Sequence, residues 1–315
     1  MLVSNDQESA GQMRLSEKAD QFEAARPQLM GIAFRLLGTL SEAEDAVQDT
    51  AFKWFSDDTV QPEKPTAWLS TVCTNRCLDI LKSAQRKRTQ YVGPWLPDQF
   101  QMETVASAED QFEASSSLNT AFLLLLERLT PKERAAYILH DIFSMSFAEV
   151  SAALGITNEN CRKLASRARK MIAAEQVRHV PTEEVQRQLL DGFTRALSTG
   201  DAGPLANILT QDATLRADSG GKVVAIREVL KGPADVVEFV ASTLSKAWHG
   251  LPRQTMRANG QCALLIGTAS DPVAVISFAF SDKSLIRDVF VLRHPEKLQR
   301  LLETSLTATA STLER

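Results

Sequence analysis

One predicted helix, Thr157–Ile172, concentrates side chains that could donate hydrogen bonds to nucleic-acid bases and phosphates. Its apolar residues share one face at helical spacing, and Arg162–Lys170 carries five cations with no acid among them. Amide and guanidinium groups near a helix start can reach base edges, and cations further along suit phosphates. The pattern therefore predicts a DNA-reading face made of Asn158, Asn160, Arg162, Lys163, Ser166, Arg167, Arg169 and Lys170.

A shorter predicted helix, Phe147–Leu154, precedes this face, and Gly155 separates the two. Two short helices joined by a turn of this kind are typical of a helix-turn-helix, whose second helix enters the major groove of DNA. We expect Asn158, Asn160, Arg162 and Lys163 to read bases and the later cations to contact phosphates. A solvated basic helix face is the simpler alternative, which the complete turn motif disfavours.

A further predicted helix starts near Ala67 and ends in the basic run Arg86–Arg88. Its apolar residues recur at spacings of three or four and predict one buried face. The loop ahead of it, Ser56–Thr66, contains two prolines that break the helical pattern. A second candidate DNA-binding row on this helix consists of Asn75, Asp79, Lys82, Arg86 and Arg88.

The helix predicted at Ala43–Phe55 combines a buried apolar face with an acidic outer face that carries an aromatic side chain. Ser41 and Glu44 have the spacing of a capping box at its start. The outer face indicates either a surface for a protein partner or an ordinary acidic helix face. Its members are Asp45, Gln48, Asp49 and Phe52.

Together, Trp68–Arg88 and Phe147–Lys170 resemble regions 2 and 4 of the sigma-70 family, specifically those of an extracytoplasmic-function (ECF) sigma factor. The resemblance implies that the first binds a minus-ten promoter element, that the second binds a minus-thirty-five element, and that Ser56–Thr66 captures an unpaired base. Extruding a base costs roughly a few kcal/mol, which a pocket must recover. The resemblance also implies that Ala43–Phe55 docks on the β′ clamp helices of core RNA polymerase, with the β flap as a further contact.

From about Glu183 the pattern changes to two helices, strand-like runs at Ala213–Ala217 and Lys222–Ile226, a helix at Pro233–Lys246, and further strands that end at Val291. This α+β pattern resembles a SnoaL-like domain of the cone-shaped NTF2-like fold. Such an extension is a feature of the SigJ-like subgroup of ECF sigma factors, to which the chain is similar.

Three short motifs carry that narrower resemblance. The subgroup's linker motif Trp-Leu-Pro-Glu-Pro corresponds to Trp95–Gln99, its Asp-Gly-Gly-Gly-Arg motif to Asp218–Lys222, and its Asn-Pro-Asp-Lys-Leu motif to His294–Leu298. Taken alone, Asp218–Lys222 predicts a Gly-rich turn between two strands. The resemblance implies instead that this turn and the linker hold the extension against the sigma regions. The residues implied are Trp95, Leu96, Pro97, Asp98, Asp218, Gly220, Gly221 and Lys222.

Composition limits the functional class. The chain has 315 residues, enough for two or three domains, and its net charge of −4 provides no bulk positive field for non-specific DNA coating. The four cysteines lie in apolar stretches and predict reduced core thiols rather than disulfides or a metal site. No segment has the roughly 20 apolar residues needed to cross a bilayer, so we expect a cytoplasmic protein without a membrane partner or a cofactor.

The predicted fold class is therefore multidomain, with two all-α sigma domains and one α+β NTF2-like domain. In chain order we expect a flexible N-terminus (1–15), sigma region 2 (16–91), a linker (92–110), sigma region 4 (111–176), a hinge (177–182), the SnoaL-like domain (183–298) and a C-terminal tail (299–315).

The leading hypothesis is an alternative sigma factor that directs core RNA polymerase to promoter DNA, with the extension modulating its activity and open to a small-molecule or accessory-protein contact. The alternative is a helix-turn-helix repressor or activator that senses a small molecule through the extension. A fused cyclase or isomerase is disfavoured because the two tyrosines, Tyr91 and Tyr137, lie outside the extension and no acid/base pair is evident. We therefore predict no enzymatic activity.

Overall fold

A computed structural model describes residues 3–56, 62–88, 91–99, 118–174 and 179–312 of the chain. The chain forms two compact units. One combines Met1–Lys87 with Leu126–Ala173, and the other combines Arg88–Leu125 with Ala174–Arg315. The two predicted helical regions thus share the first unit, and the start of the predicted linker shares the second unit with the α+β extension.

The described elements of the first unit are helices. They are α1 (Val3–Leu37), α2 (Leu40–Ser56), α3 (Pro65–Arg88), α5 (Pro131–Tyr137), a π-helical segment (Ile138–Ile142), α6 (Phe147–Leu154) and α7 (Asn158–Ala174), while α4 (Thr120–Leu126) crosses the boundary and has only Leu126 in this unit.

The start of α2 differs from its prediction. Gly38 turns the chain with a φ of +76°, and its N–H donates to Phe34. Helix α2 then begins at once, because the Thr39 hydroxyl donates to the Glu42 carboxylate at 2.8 Å and the Thr39 carbonyl accepts the first helical bond. The predicted Ser41–Glu44 capping box is therefore wrong by two residues. The predicted buried face is confirmed by Ala46, Val47, Thr50 and Trp54.

The two helices of the helix-turn-helix begin and end close to where the sequence predicts. Ser146 accepts from the Glu149 N–H while Glu149 bonds back to Ser146, a complete capping box at the start of α6. Gly155 ends the helix at φ +60°, a left-handed conformation that glycine adopts without strain. Helix α7 then begins at Asn158 and buries its apolar face, so the predicted motif is present.

The second unit is α+β. Its elements are α8 (Glu183–Thr199), α9 (Ala202–Ala206), β1 (Leu209–Asp218), β2 (Leu230–Lys231), α10 (Pro233–Glu238), a π-helical segment (Phe239–Leu244), α11 (Ser245–Ala247), β3 (Arg253–Ala258), β4 (Gln261–Gly267), β5 (Pro272–Phe280), β6 (Ile286–Leu292) and α12 (Pro295–Thr312). The sheet order is β2-β1-β6-β5-β4-β3, in which β1 and β6 are parallel and the other neighbours antiparallel. Two helices followed by a six-stranded sheet confirm the predicted α+β class of the extension.

The strand predicted at Lys222–Ile226 is wrong. Gly220 and Gly221 take φ values of +57° and +73° at the end of β1 and turn the chain out of the sheet. Residues 222–229 contain no strand, and the antiparallel partner of Thr214 and Leu215 is β2. The apolar run after Lys222 therefore does not form a strand, because the turn at the two glycines leads the chain away from the sheet until β2.

The sheet buries both of its faces. One face, with Leu264, Ile276 and Phe278, packs with Phe193 of α8. The alternate residues of the same strands, such as Leu265 and Val275, pack with α12. This alternation follows the two-residue period of a strand. Helix α12 continues through the predicted C-terminal tail as far as Thr312, and Leu301 and Leu302 of that tail are buried.

Other expectations concern the ends and the thiols. Helix α1 already covers residues from Val3, within the segment predicted to be a flexible N-terminus. All four cysteines are buried and free, as predicted from their apolar surroundings. Within the described ranges, no helix has the length and apolar character to span a membrane, and no group of three His, Cys, Asp or Glu could hold a metal ion.

Candidate DNA-reading helices and a buried linker clasp

Helix α7 buries its apolar residues on one side and exposes its candidate DNA contacts on the others. Cys161, Leu164, Ala165, Ala168 and Ile172 are buried on one side. Met171, which the apolar spacing assigned to that side, is 37% exposed because it lies at the edge of the stripe. Each predicted DNA-contacting side chain is exposed, and the set is Asn158, Asn160, Arg162, Lys163, Ser166, Arg167, Arg169 and Lys170.

Three cations of α7 have acidic partners, all of which lie outside the Arg162–Lys170 run. Lys163 pairs with Glu159 one turn earlier at 2.7 Å. The other partners come from elsewhere in the unit: Glu133 binds Arg167 at 2.7 Å, and Asp141 binds Arg169 at 2.5 Å. These exposed pairs contribute little stability, so a phosphate can replace the carboxylate at small cost.

Glu133 also caps α5. Burial raises the pKa of this carboxyl, but hydrogen bonds from Thr130 and Arg167 outweigh burial and hold the pKa below its usual value. Glu133 therefore stays ionised and orients Arg167 on the outer face of α7.

Helix α3 presents the described part of the candidate minus-ten row to solvent. Asn75 and Asp79 are exposed, and Asp79 pairs with Lys82 at 2.8 Å. The Lys82 ammonium accordingly lowers the pKa of Asp79. The side chains of Arg86 and Arg88 lie outside the described residues, as does the 57–61 part of the loop assigned to base capture.

The outer face of α2 is built as its spacing predicts. Phe52 is 75% exposed, and Asp45 and Gln48 are exposed beside it. Asp49 is partly covered because its carboxylate binds Arg76 of α3 at 2.5 Å. An aromatic ring this exposed on an acidic helix is a surface feature that a folded unit does not require for its own core.

The predicted linker and Gly-rich turn meet within the second unit around the buried carboxylate of Asp218. Asp218 lies at the end of β1 and is 0% exposed. One carboxylate oxygen accepts from the Tyr91 hydroxyl at 2.5 Å and from the Gly220 N–H at 3.1 Å. The other accepts from the Leu96 N–H at 3.0 Å and from the Lys297 ammonium at 2.9 Å. A buried carboxylate is thus satisfied by four donors.

Lys297 of α12 completes the arrangement. Its ammonium donates to the Leu96 carbonyl, lies 3.7 Å from the Asp98 carboxylate, and sits 4.8 Å from the centre of the Trp95 ring. One cation therefore holds two carboxylates and a linker carbonyl together. We call Tyr91, Leu96, Asp98, Asp218 and Lys297 the linker clasp.

Further linker contacts extend along the same face of the sheet. The Gln99 amide donates to the Ser277 hydroxyl of β5 at 2.8 Å, and Asn259 donates to the Asp98 carbonyl at 3.4 Å. Leu96 and Pro97 are buried, whereas Trp95 is half-buried. Burial and the adjacent Asp218 carboxylate raise the pKa of Tyr91, which keeps its hydroxyl a donor.

The two glycines of the turn permit this close packing. A Cβ on Gly220 would lie 2.7 Å from His294 Nε2 and 3.2 Å from the Tyr91 hydroxyl oxygen, and one on Gly221 would meet Val92. Lys222, in contrast, forms an exposed pair with Glu296 and does not enter the buried network.

Sequence reasoning missed two members of the clasp and one residue beside it. Tyr91 was counted with the first helical region, although its hydroxyl binds Asp218 of the extension. Lys297 was recognised only as part of a tail motif, and so was His294, whose ring lies against Gly220. In the sequence, Lys297 is one of two cations in α12 and follows Pro295 by two residues, which is too common a pattern to predict a buried ion pair.

Space for a ligand is limited between the sheet and α8, because Phe193, Trp248, Phe278 and Phe280 are buried together there. A cavity of about 480 Å³ opens at the start of β1, with Thr210, Asp212, Lys283 and Arg287 among its lining residues. The lining is mainly polar and includes acidic and basic side chains.

Comparisons with known proteins match this architecture. The family model for sigma-70 region 2 matches residues 21–87, and the model for sigma-70 region 4 matches residues 119–172. The ECF RNA polymerase sigma factor SigJ of Mycobacterium tuberculosis is 35% identical over 250 residues, which cover 78% of this chain and 79% of that relative. This chain belongs to the ECF sigma factors.

A second relative of this ECF sigma factor is the probable ECF RNA polymerase sigma factor SigI of Mycobacterium tuberculosis, which is 29% identical over 67% of this chain and 73% of its own length. The crystal structure of the Mycobacterium tuberculosis ECF sigma factor SigJ is similar over 89% of this chain and 97% of that chain, with a TM-score of 0.67 and 28% identity. The SigJ-like resemblance is therefore confirmed, including the added C-terminal unit. These matches support the sigma-factor hypothesis and not the repressor alternative.

Proposed function

We propose that this ECF sigma factor brings core RNA polymerase to promoters with two spaced elements, and that it carries out no chemical reaction itself. Helix α7 reads the minus-thirty-five element, α3 contacts the minus-ten element, and the outer face of α2 docks on the clamp helices of the polymerase.

The exposed face of α7 carries this proposal. All eight candidate contacts are exposed while the apolar face is buried, so the helix can enter a major groove without unfolding. Asn158, Asn160, Arg162 and Lys163 lie in its first two turns, where a recognition helix meets base edges. Arg167, Arg169 and Lys170 lie further along and neutralise phosphates.

In this proposal, the second unit limits the distance between the two promoter elements that the sigma factor can bind together. The linker leaves the first helical region after α3, and its residues 91–99 are held in the linker clasp. Anchoring these residues removes them from the length of chain that can span between the two DNA-reading regions. A shorter tether restricts the separations that the regions can span together. The clasp therefore narrows the range of spacer lengths that this sigma factor accepts.

Substitution at two positions of α7 tests the base-reading assignment. Arg162→Ala should cost about 1–3 kcal/mol on the preferred element and relax specificity at one base pair. Lys170→Ala is the matched control, because losing a phosphate contact should weaken binding evenly and lower the salt slope by about one. Holoenzyme binding to a duplex library with a randomised upstream element measures both. Equal loss on every duplex for Arg162→Ala would contradict its base-reading role.

A further inference from the structure

An aromatic ring lies beneath two of the recognition-helix cations. Phe147, the first residue of α6, stacks on His140 with ring centres 3.8 Å apart and an angle of 27°. The guanidinium carbon of Arg162 lies 5.5 Å from the centre of the Phe147 ring, and that of Arg169 lies 6.0 Å away. Arg162 and Arg169 are seven residues apart, so both point to the same side of α7.

The ring itself is held firmly. The Ser146–Glu149 capping box fixes the backbone at the start of α6. On the other side of the stack, His140 Nδ1 is 2.7 Å from the Met145 carbonyl. The Phe147 ring is therefore placed by contacts that do not involve α7, and its electron-rich face can attract a cation.

The two guanidinium groups differ in their other contacts. Arg169 has a carboxylate partner, Asp141, at 2.5 Å, which fixes it independently of the ring. Arg162 is exposed near the start of α7, at a base-reading position, and its contact with Phe147 limits the rotamers of a long side chain. Ordering a side chain before binding reduces the entropy lost when it binds.

We propose that Phe147 is a positioning residue for promoter recognition, because its ring holds the Arg162 guanidinium in the orientation that selects one base pair of the minus-thirty-five element. This inference rests on the proposed base-reading role of Arg162. Phe147 does not contact the base in this scheme and acts through Arg162.

The test compares Phe147→Leu with Phe147→Tyr in the full-length chain assembled with core polymerase. The leucine removes the π face but keeps apolar bulk, whereas the tyrosine keeps the ring. Binding to the preferred duplex is compared with binding to a duplex changed at the base pair that Arg162→Ala relaxes. Phe147→Leu should lower this preference about 2- to 5-fold, and Phe147→Tyr should stay near the unmodified value.

A double-mutant cycle separates positioning from general stability. In the Arg162→Ala background, Phe147→Leu should cause no further loss of base preference, because the side chain it positions is gone. Arg169→Ala should weaken both duplexes equally. If Phe147→Leu is poorly folded, Phe147→Met repeats the loss of the ring with a side chain that fills irregular space.

Three results would overturn the inference. They are equal weakening of both duplexes by Phe147→Leu, an equal defect in Phe147→Tyr, and a further loss of preference in the Arg162→Ala background. If Arg162→Ala itself leaves base preference unchanged, the proposed reading role fails as well. If Arg162→Ala relaxes preference and Phe147→Leu does not, only the positioning role fails.

Discussion

Replacing Asp218 with asparagine removes the charge around which the linker clasp is built. Asp218 is 0% exposed and accepts four hydrogen bonds, from the donors of Tyr91, Gly220, Leu96 and Lys297. An asparagine keeps one acceptor oxygen but turns an NH₂ group toward one pair of donors. It also leaves the buried Lys297 ammonium without its nearest carboxylate. Breaking a buried pair in this way costs about 3–5 kcal/mol.

Hydrogen exchange of the linker segment 91–99 measures this loss directly. The Leu96 amide is buried and bonded to Asp218, so it exchanges only when the clasp opens. A loss of about 3–5 kcal/mol corresponds to exchange faster by about 100-fold to several thousand-fold, unless global unfolding sets the limit first.

Asp288→Asn is the matched control in the same sheet. Asp288 is also buried, at 8% exposure, and accepts from the Thr214 hydroxyl at 2.6 Å and from Arg287 at 3.0 Å. The same chemical change there should leave linker exchange unchanged. Unaltered exchange in Asp218→Asn, or an equal acceleration in Asp288→Asn, would refute the view that Asp218 specifically holds the linker.

Three further predictions concern single residues. Gly220→Ala should lower the free energy of unfolding, measured in urea, by about 1–3 kcal/mol more than Gly250→Ala. Both glycines have a positive φ, but only at Gly220 would a Cβ meet neighbouring side chains. Equal urea midpoints for the two variants would contradict this. The hydrogen bonds from Ser146 lower the pKa of Glu149. The stability that this cap contributes is therefore fully present above the ordinary Glu pKa of 4.5, and it is lost as the pH falls through the lowered pKa. Circular dichroism between pH 6 and 3 should show this loss, and Glu149→Gln should reduce it. Phe52→Ala should leave the melting temperature unchanged and weaken core polymerase binding about 10-fold, whereas unchanged affinity would exclude Phe52 from the interface.

Local signals predicted the helix-turn-helix well. The Ser146–Glu149 capping box, the Gly155 turn and the apolar stripe of α7 all depend on residues within a few positions of one another. Such signals act through backbone geometry that the local sequence largely determines. The bounds of α6 and the exposure of its partner helix therefore agree with the prediction.

Contacts between distant segments were not predictable in the same way. The acids Glu133 and Asp141 pair with cations of α7 from elsewhere in the chain. The cation that binds Asp218 is Lys297, 79 positions further along the chain. Periodicity carries no information about which distant side chains meet. The motif resemblance did place Asp218 and the linker in one functional group, and it also included Lys222, which forms an exposed pair with Glu296 outside the buried network.

The most direct test of the account is multi-round transcription with purified core polymerase on a library that randomises both promoter elements and the spacer between them. Full-length protein should yield core-dependent transcripts that share two elements at a narrow spacing, and Asp218→Asn should broaden the spacing while keeping both elements. Folded protein that gives no core-dependent transcript from any template would contradict the proposed function. Identical spacer distributions for the two proteins would contradict the role of the linker clasp.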